Sequence, residues 1–253
     1  MSRAGAIDAR PALPTRRGVA DLGRTARRQR RVWSGRVGSW SGYASLGLER
    51  VTRAVLEASE VRPGEEVVDL GCGTGQLTLP LAARGTRVVA VDVSPQMTGR
   101  LREEASRRGV CGVDVVTLPI EGLDLPRQSA DLVVTSYALH HLRDIDKAEA
   151  VGRAFEWLRP GGRLIVADMM FGRGVSRQDR AVLRSKVGAL ARKGPGGWWR
   201  IAKNGIRFAL RIHEQPISLR AWQELLVRAG FQVESARIVV SEAGLVVGRR
   251  PSS

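Results

Sequence analysis

Val67-Val68-Asp69-Leu70-Gly71-Cys72-Gly73-Thr74-Gly75 is the stretch that decides the fold of this 253-residue chain. A short run of β-formers from Glu66 to Leu70 meets a glycine turn, and a helical stretch from Gln76 to Arg84 follows. Glycine lets a strand end bend sharply into a helix N-terminus, and a loop without side chains lets a ligand's polar groups approach bare backbone. Arg87–Val91 reads as the next strand and ends in Asp92, where a carboxylate can accept two hydrogen bonds from a ribose diol. A dinucleotide fingerprint would need a third glycine at position 76, which is Gln76, and its pyrophosphate would lie beside Asp69. A ligand with a cationic end and a ribose fits these residues better than a dinucleotide does.

The same alternation of strand and helix extends in both directions. Pro95–Arg108 reads as a helix, and strand-like runs recur at Val113–Thr117, Leu132–Ser136 and Arg163–Ala167 with helix-length sequence between them. Upstream, Leu46, Arg50, Val51, Ala54, Val55 and Ala58 keep a helical spacing that Arg62-Pro63-Gly64 closes. Downstream, Leu219–Ala229 is a helix stopped by Gly230. Two β runs follow, Phe231–Val240 and Leu245–Gly248, joined by a few residues around Ser241-Glu242-Ala243-Gly244. So short a connection requires an antiparallel pair. The expected fold is α/β: a doubly wound, mostly parallel sheet with a reversed C-terminal strand and a helical cap or insertion.

Charge divides the chain further. Lys plus Arg number 41 against 25 Asp plus Glu, for a net charge of +16. Residues 1–53 carry 12 basic and 3 acidic side chains, and residues 171–220 carry 12 and 2. The excess therefore sits in two segments that flank an acidic middle, a pattern suited to an anionic partner. We expect an arginine-rich arm at 1–31 and one domain at 32–253, with a helical cap at 32–62 and a basic lid inserted at 172–216. Two cysteines, Cys72 and Cys111, are too few for a disulfide framework or a four-ligand zinc site, so no metal is expected. Apolar stretches fall short of the roughly 18–20 residues that span a bilayer. The arginine-rich N-terminus has no apolar core of the secretory kind. A cytoplasmic location follows, with peripheral attachment at the inner membrane face open.

At VDLGCGTG (68–75) the sequence resembles the class I S-adenosylmethionine-dependent methyltransferases, of the small-molecule type. The resemblance continues through VVAVDVSPQM (88–97), ADLVVTSYALHHL (130–142) and WLRPGGRLIVAD (157–168), four motifs in the family's order across about residues 50–170. It implies a Rossmann-like fold with S-adenosyl-L-methionine as cofactor. Carried over by position, Asp69 and the backbone at Gly71, Gly73 and Gly75 would hold the cofactor's amino-acid end. Asp92 would bind the ribose, Val93 and Met97 would flank the adenine, and Ser136 would close the site from the fourth strand. The family usually places an acidic residue against the adenine amino group after the third strand. Here that segment is Thr117-Leu118-Pro119-Ile120-Glu121, so the contact falls to backbone near Leu118 and Ile120, or to Glu121.

Methyl transfer from a sulfonium is an in-line displacement, so the protein chiefly positions and desolvates the acceptor, with a base where the acceptor must lose a proton. His140 and His141 stand where the fourth strand ends, and His140 is the first choice for that base; either histidine could instead pack or cap a helix. In such enzymes the cap and the insertion after the fifth strand commonly select the acceptor, and here both are basic. Arg200, Lys203, Arg207 and Arg211 recur at helical spacing after Trp198 and Trp199, a pattern that suits a membrane interface, a lid or a dimer contact. The expected partner is a small-molecule or lipid acceptor, such as a quinone ring or a lipid hydroxyl or carboxylate, at an anionic membrane surface. RNA or DNA is the rival partner, favoured by charge but without a recognition motif. A cofactor-binding module without catalysis is the other.

Overall fold

Alternate residues of the central strands enter opposite cores, as a strand covered on both faces requires. Val68, Val89, Val91, Val133, Leu164 and Val166 bury on one side, and Val67, Val88, Ala90, Leu132, Val134 and Ile165 on the other. The computed structural model describes residues 46–171 and 215–252. The expected arm at 1–31, the cap up to residue 45 and the lid at 172–214, with Trp198 and its basic neighbours, lie outside the described residues.

The strands are β1 (Glu66–Leu70), β2 (Arg87–Asp92), β3 (Val113–Thr117), β4 (Ala130–Ser136), β5 (Leu158–Met169), β6 (Gln232–Val240) and β7 (Ala243–Arg249). They form one sheet in the order β3-β2-β1-β4-β5-β7-β6. β1 to β5 pair in parallel. β7 runs antiparallel to both β5 and β6. The two-residue connection Ser241-Glu242 forces that hairpin and sets β7 between β5 and β6. This is the expected Rossmann-like, doubly wound sheet with a reversed terminal strand.

The helices are α1 (Leu46–Ser59), α2 (Thr78–Ala82), α3 (Pro95–Arg108), α4 (Asp144–Trp157) and α5 (Leu219–Arg228). α1, α2 and α3 cover one face through Val51, Val55, Leu81 and Leu101. α4 and α5 cover the other through Val151, Trp157, Trp222 and Leu226. Each fully buried aliphatic side chain of this kind stabilises the fold by roughly 1.5–3 kcal/mol. Among the described residues no helix is long and apolar enough to cross a membrane.

Two elements differ from the sequence reading. α2 is shorter than the expected 76–84 because Pro80 has no N–H and is tolerated only in a first helical turn. That forces the helix to begin just before it. β5 is longer than the expected Arg163–Ala167, because the turn-like Pro160-Gly161-Gly162 is held in the sheet. Gly161 donates to the Arg250 carbonyl at 2.9 Å, and Arg250 donates back to Gly162 at 2.8 Å.

Candidate functional site

The carboxyl ends of β1, β2 and β4 meet at an open cleft lined by the glycine loop, Asp92, Ser136 and His141. Its floor is the glycine loop, where three glycines meet three different demands. Gly71 has φ +77, and a Cβ there would lie 2.3 Å from the Ala138 Cβ, so it lets the loop touch the segment after β4. Gly75 has φ +94, and a Cβ there would strike Leu101 at 2.4 Å, so it serves packing against α3. Gly73 has φ +53, and a Cβ there would meet no protein atom within 4 Å. Its bare backbone faces open space at the cleft.

Asp92 is fixed at the rim of that loop. Its Oδ2 accepts from the Gly73 N–H at 3.0 Å and its Oδ1 from the Ser94 N–H at 2.8 Å. A carboxylate offers about four lone-pair sites, so each oxygen retains room for another donor. Burial pushes its pKa up, and the two backbone donors pull it back. Ser94 in turn caps α3, accepting from the Met97 N–H, with Pro95 at the first helical position. One short stretch thus fixes Asp92, Val93 and Met97 on the cleft.

Asp69 is placed differently from its neighbours. It is 2% exposed, does not line the cleft, and accepts a 2.6 Å hydrogen bond from the Thr78 hydroxyl. Burial, reinforced by Asp92, raises its pKa to about 7. It sits beneath the loop as a buried acid. Cys72 is also buried, and burial raises its thiol well above the usual range, which leaves it without nucleophilic character.

The far wall comes from β4 and the segment after β3. Ser136 lines the cleft, and its hydroxyl has no hydrogen-bond partner among the described residues. Tyr137 follows at φ +51, its N–H bonded to the Ala167 carbonyl at 2.9 Å. A non-glycine residue held there stores strain of the sort found at functional sites. Burial and the carboxylates of Glu242 and Asp168 raise its phenol pKa, so it stays protonated. Pro119, Ile120 and Glu121 also line the cleft, and Leu118 just before them donates to the Asp92 carbonyl at 2.9 Å. Buried Arg153 holds that turn by donating to the carbonyls of Glu121 and Leu123 at 3.0 and 2.8 Å.

The two histidines separate. His141 lines the cleft. His140 does not: it is 5% exposed, with Nδ1 2.5 Å from Asp168 Oδ1 and its backbone N–H donating to Oδ2 at 2.7 Å. The rings lie 3.9 Å apart between centroids, so His140 backs His141. Lys147, fully buried, pins the end of the same turn through the Leu142 carbonyl at 2.7 Å. His140, the first choice for a base on sequence, stands behind His141, which lines the cleft. Of the expected site residues, Gly71, Gly73, Asp92, Val93, Met97, Ile120, Ser136 and His141 share the cleft, while Asp69, Gly75 and His140 support it from behind. Tyr137, just past the end of β4, joins them on the cleft in a left-handed backbone conformation that no sequence signal marks. Among the described residues no cluster of His, Cys, Asp or Glu could hold a metal ion.

Residues 67–162 match the family described as Methyltransferase domain. The chain is 34% identical over 142 residues to the aklanonic acid methyltransferase DauC of Streptomyces sp. (strain C5), covering 54% of this chain and 64% of that protein. It is 29% identical over 199 residues to the ubiquinone/menaquinone biosynthesis C-methyltransferase UbiE of Cronobacter sakazakii (strain ATCC BAA-894), covering 74% and 75%. The matches span 62%, 54% and 64% of the first curated relatives' own lengths. The Burkholderia thailandensis 1,6-didemethyltoxoflavin-N1-methyltransferase structure superposes with a TM-score of 0.62 at 21% identity, covering 89% of this chain and 88% of that one.

Proposed function

We propose that this chain is a class I S-adenosylmethionine-dependent methyltransferase, on the match of residues 67–162 to the methyltransferase domain family and the likeness to DauC and UbiE, and that it methylates a small, lipophilic acceptor such as a quinone ring or a lipid hydroxyl or carboxylate. The observation that carries the reading is the division of one cleft into a bare-backbone end at Gly73 and Asp92 and an aromatic end at Tyr137 and His141. The residues fit the cofactor. The open space at Gly73 accepts a ligand against the main chain, Asp92 keeps acceptor capacity for a ribose diol, and Ser136 lines the cleft with a buried hydroxyl that has no partner among the described residues. When bound, S-adenosyl-L-methionine supplies an electrophilic methyl group.

The chain's own part is to hold and orient. Asp92 would accept from the ribose hydroxyls, and Val93, Met97 and Ile120 would enclose the adenine with backbone groups near Ile120 in place of the family's acid. Tyr137, protonated throughout the working range, would donate a hydrogen bond or offer its ring face to the acceptor. His141 would take the proton from an acceptor that must lose one, with its ring backed by His140 and, through it, by Asp168. The name of UbiE, a ubiquinone/menaquinone biosynthesis C-methyltransferase, supports an acceptor of the quinone kind. Turnover of methyl-labelled cofactor, offered a cell lipid extract in one arm and total RNA in the other, tests the proposal. Label in the lipid fraction is expected. Label in RNA, or no turnover with either, would defeat it.

A further inference from the structure

α1 and the edge strand β6 enclose a second groove, open to solvent and about 550 Å³ in volume, that the methyl-transfer chemistry does not use. Three guanidinium groups line it: Arg50 and Arg53, one turn apart on α1, and Arg237 on β6. All three are exposed. Glu57 is the one carboxylate in the groove, and among the described residues it pairs with none of them. Four other exposed arginines, Arg87, Arg107, Arg143 and Arg220, each hold a carboxylate within 2.9 Å.

We propose that this groove binds a phosphate-bearing anion. Three like charges on two rigid elements repel one another, and a multiply charged oxyanion relieves that repulsion while matching the planar fork of each guanidinium. Ile238, 38% exposed at the same place, gives an apolar contact beside the charges. The groove also has a fixed relation to the cleft. Arg237 is in register with Leu245, Leu245 with Ala167, and Ala167 with Ser136 on the cleft wall. Three strand spacings separate Arg237 from Ser136, about 14 Å. A phosphate held here sits level with Ser136 along the strands, either as a lipid headgroup or as part of a soluble ligand.

The test uses the full chain and inorganic pyrophosphate as the probe in titration calorimetry. R50A/R53A/R237A is compared with R62A/R100A/R228A, which removes the same charge from exposed arginines outside the groove. The wild type should bind pyrophosphate saturably. The groove variant should bind it about tenfold more weakly or worse, the equivalent of one lost charge-assisted hydrogen bond, while the control variant should not. S-adenosylhomocysteine binding and a thermal melt check that both variants are folded. A second arm pellets the protein with phosphatidylglycerol–phosphatidylcholine vesicles. Pelleting that pyrophosphate competes away, and that the groove variant loses, assigns the site to a headgroup. Pelleting indifferent to both assigns it to a soluble phosphate. No saturable binding by the wild type, or equal weakening in both variants, overturns the proposal.

Discussion

Gly73→Ala separates ligand recognition from folding better than any other change in the cleft. The residue lies at φ +53, where a side chain costs about 1–2 kcal/mol. A Cβ there meets no protein atom within 4 Å, so no clash adds to that cost. At roughly 2–4 °C per kcal/mol for a domain of this size, the melting temperature should fall by roughly 2–8 °C. Gly109, which caps α3 at φ +63 with equally empty surroundings, offers the matched control. Gly109→Ala should lose about the same stability. The two variants should part in S-adenosylhomocysteine affinity. A methyl group wedged where ligand and backbone meet costs about 1–3 kcal/mol by analogy with overpacked cores, roughly 5- to 150-fold in binding. Calorimetric titration alongside differential scanning calorimetry reads both quantities. Unchanged affinity in Gly73→Ala, or an equal loss in Gly109→Ala, would refute the assignment of the loop as the cofactor cradle.

Asp69, with its pKa raised from 3.8 to about 7, binds a proton more tightly folded than unfolded, so stability should fall as pH rises from about 4 to 7 and then level off. A displacement of that size is worth on the order of 4 kcal/mol. Asp69→Asn, which keeps an oxygen for Thr78, should melt higher than wild type at pH 8 and converge with it as pH falls; parallel melting curves across the range would exclude the buried acid as the cause. His141→Ala should lower turnover by about 10²- to 10⁴-fold while sparing cofactor affinity and thermal stability. His140→Ala should in addition lose on the order of 3 kcal/mol of stability, because it strips a partner from buried Asp168; near-normal turnover in both variants would make the histidines structural. Charge reversal at Arg200, Lys203, Arg207 and Arg211 should abolish pelleting with anionic vesicles, and Trp198→Ala with Trp199→Ala should remove the part that resists salt. Wild-type protein that ignores such vesicles but binds RNA with a steep salt dependence would hand those segments to nucleic acid.

The strands, the reversed hairpin and Asp92 were legible because each rests on neighbours within a few residues: a run of β-formers, a two-residue connection, a carboxylate at a strand end. What the sequence could not show depends on partners that arrive from far along the chain. Gly73 and Gly75 look alike in VDLGCGTG, yet one faces the cleft and the other touches Leu101 of α3. Asp69 also accepts from Thr78, nine residues on, a partner that VDLGCGTG alone does not show. The adjacent histidines show the principle most directly. Leu139–His141 is a turn of 3₁₀ helix, in which successive side chains point about 120° apart, so only one of the pair can face the cleft. Asp168 decides which. It lies 28 residues away and reaches the turn only because β5 pairs beside β4, bringing its buried carboxylate against His140. His140 thus backs His141 with Asp168 behind it, and Asp168 and His141 should couple in a double-mutant cycle on turnover.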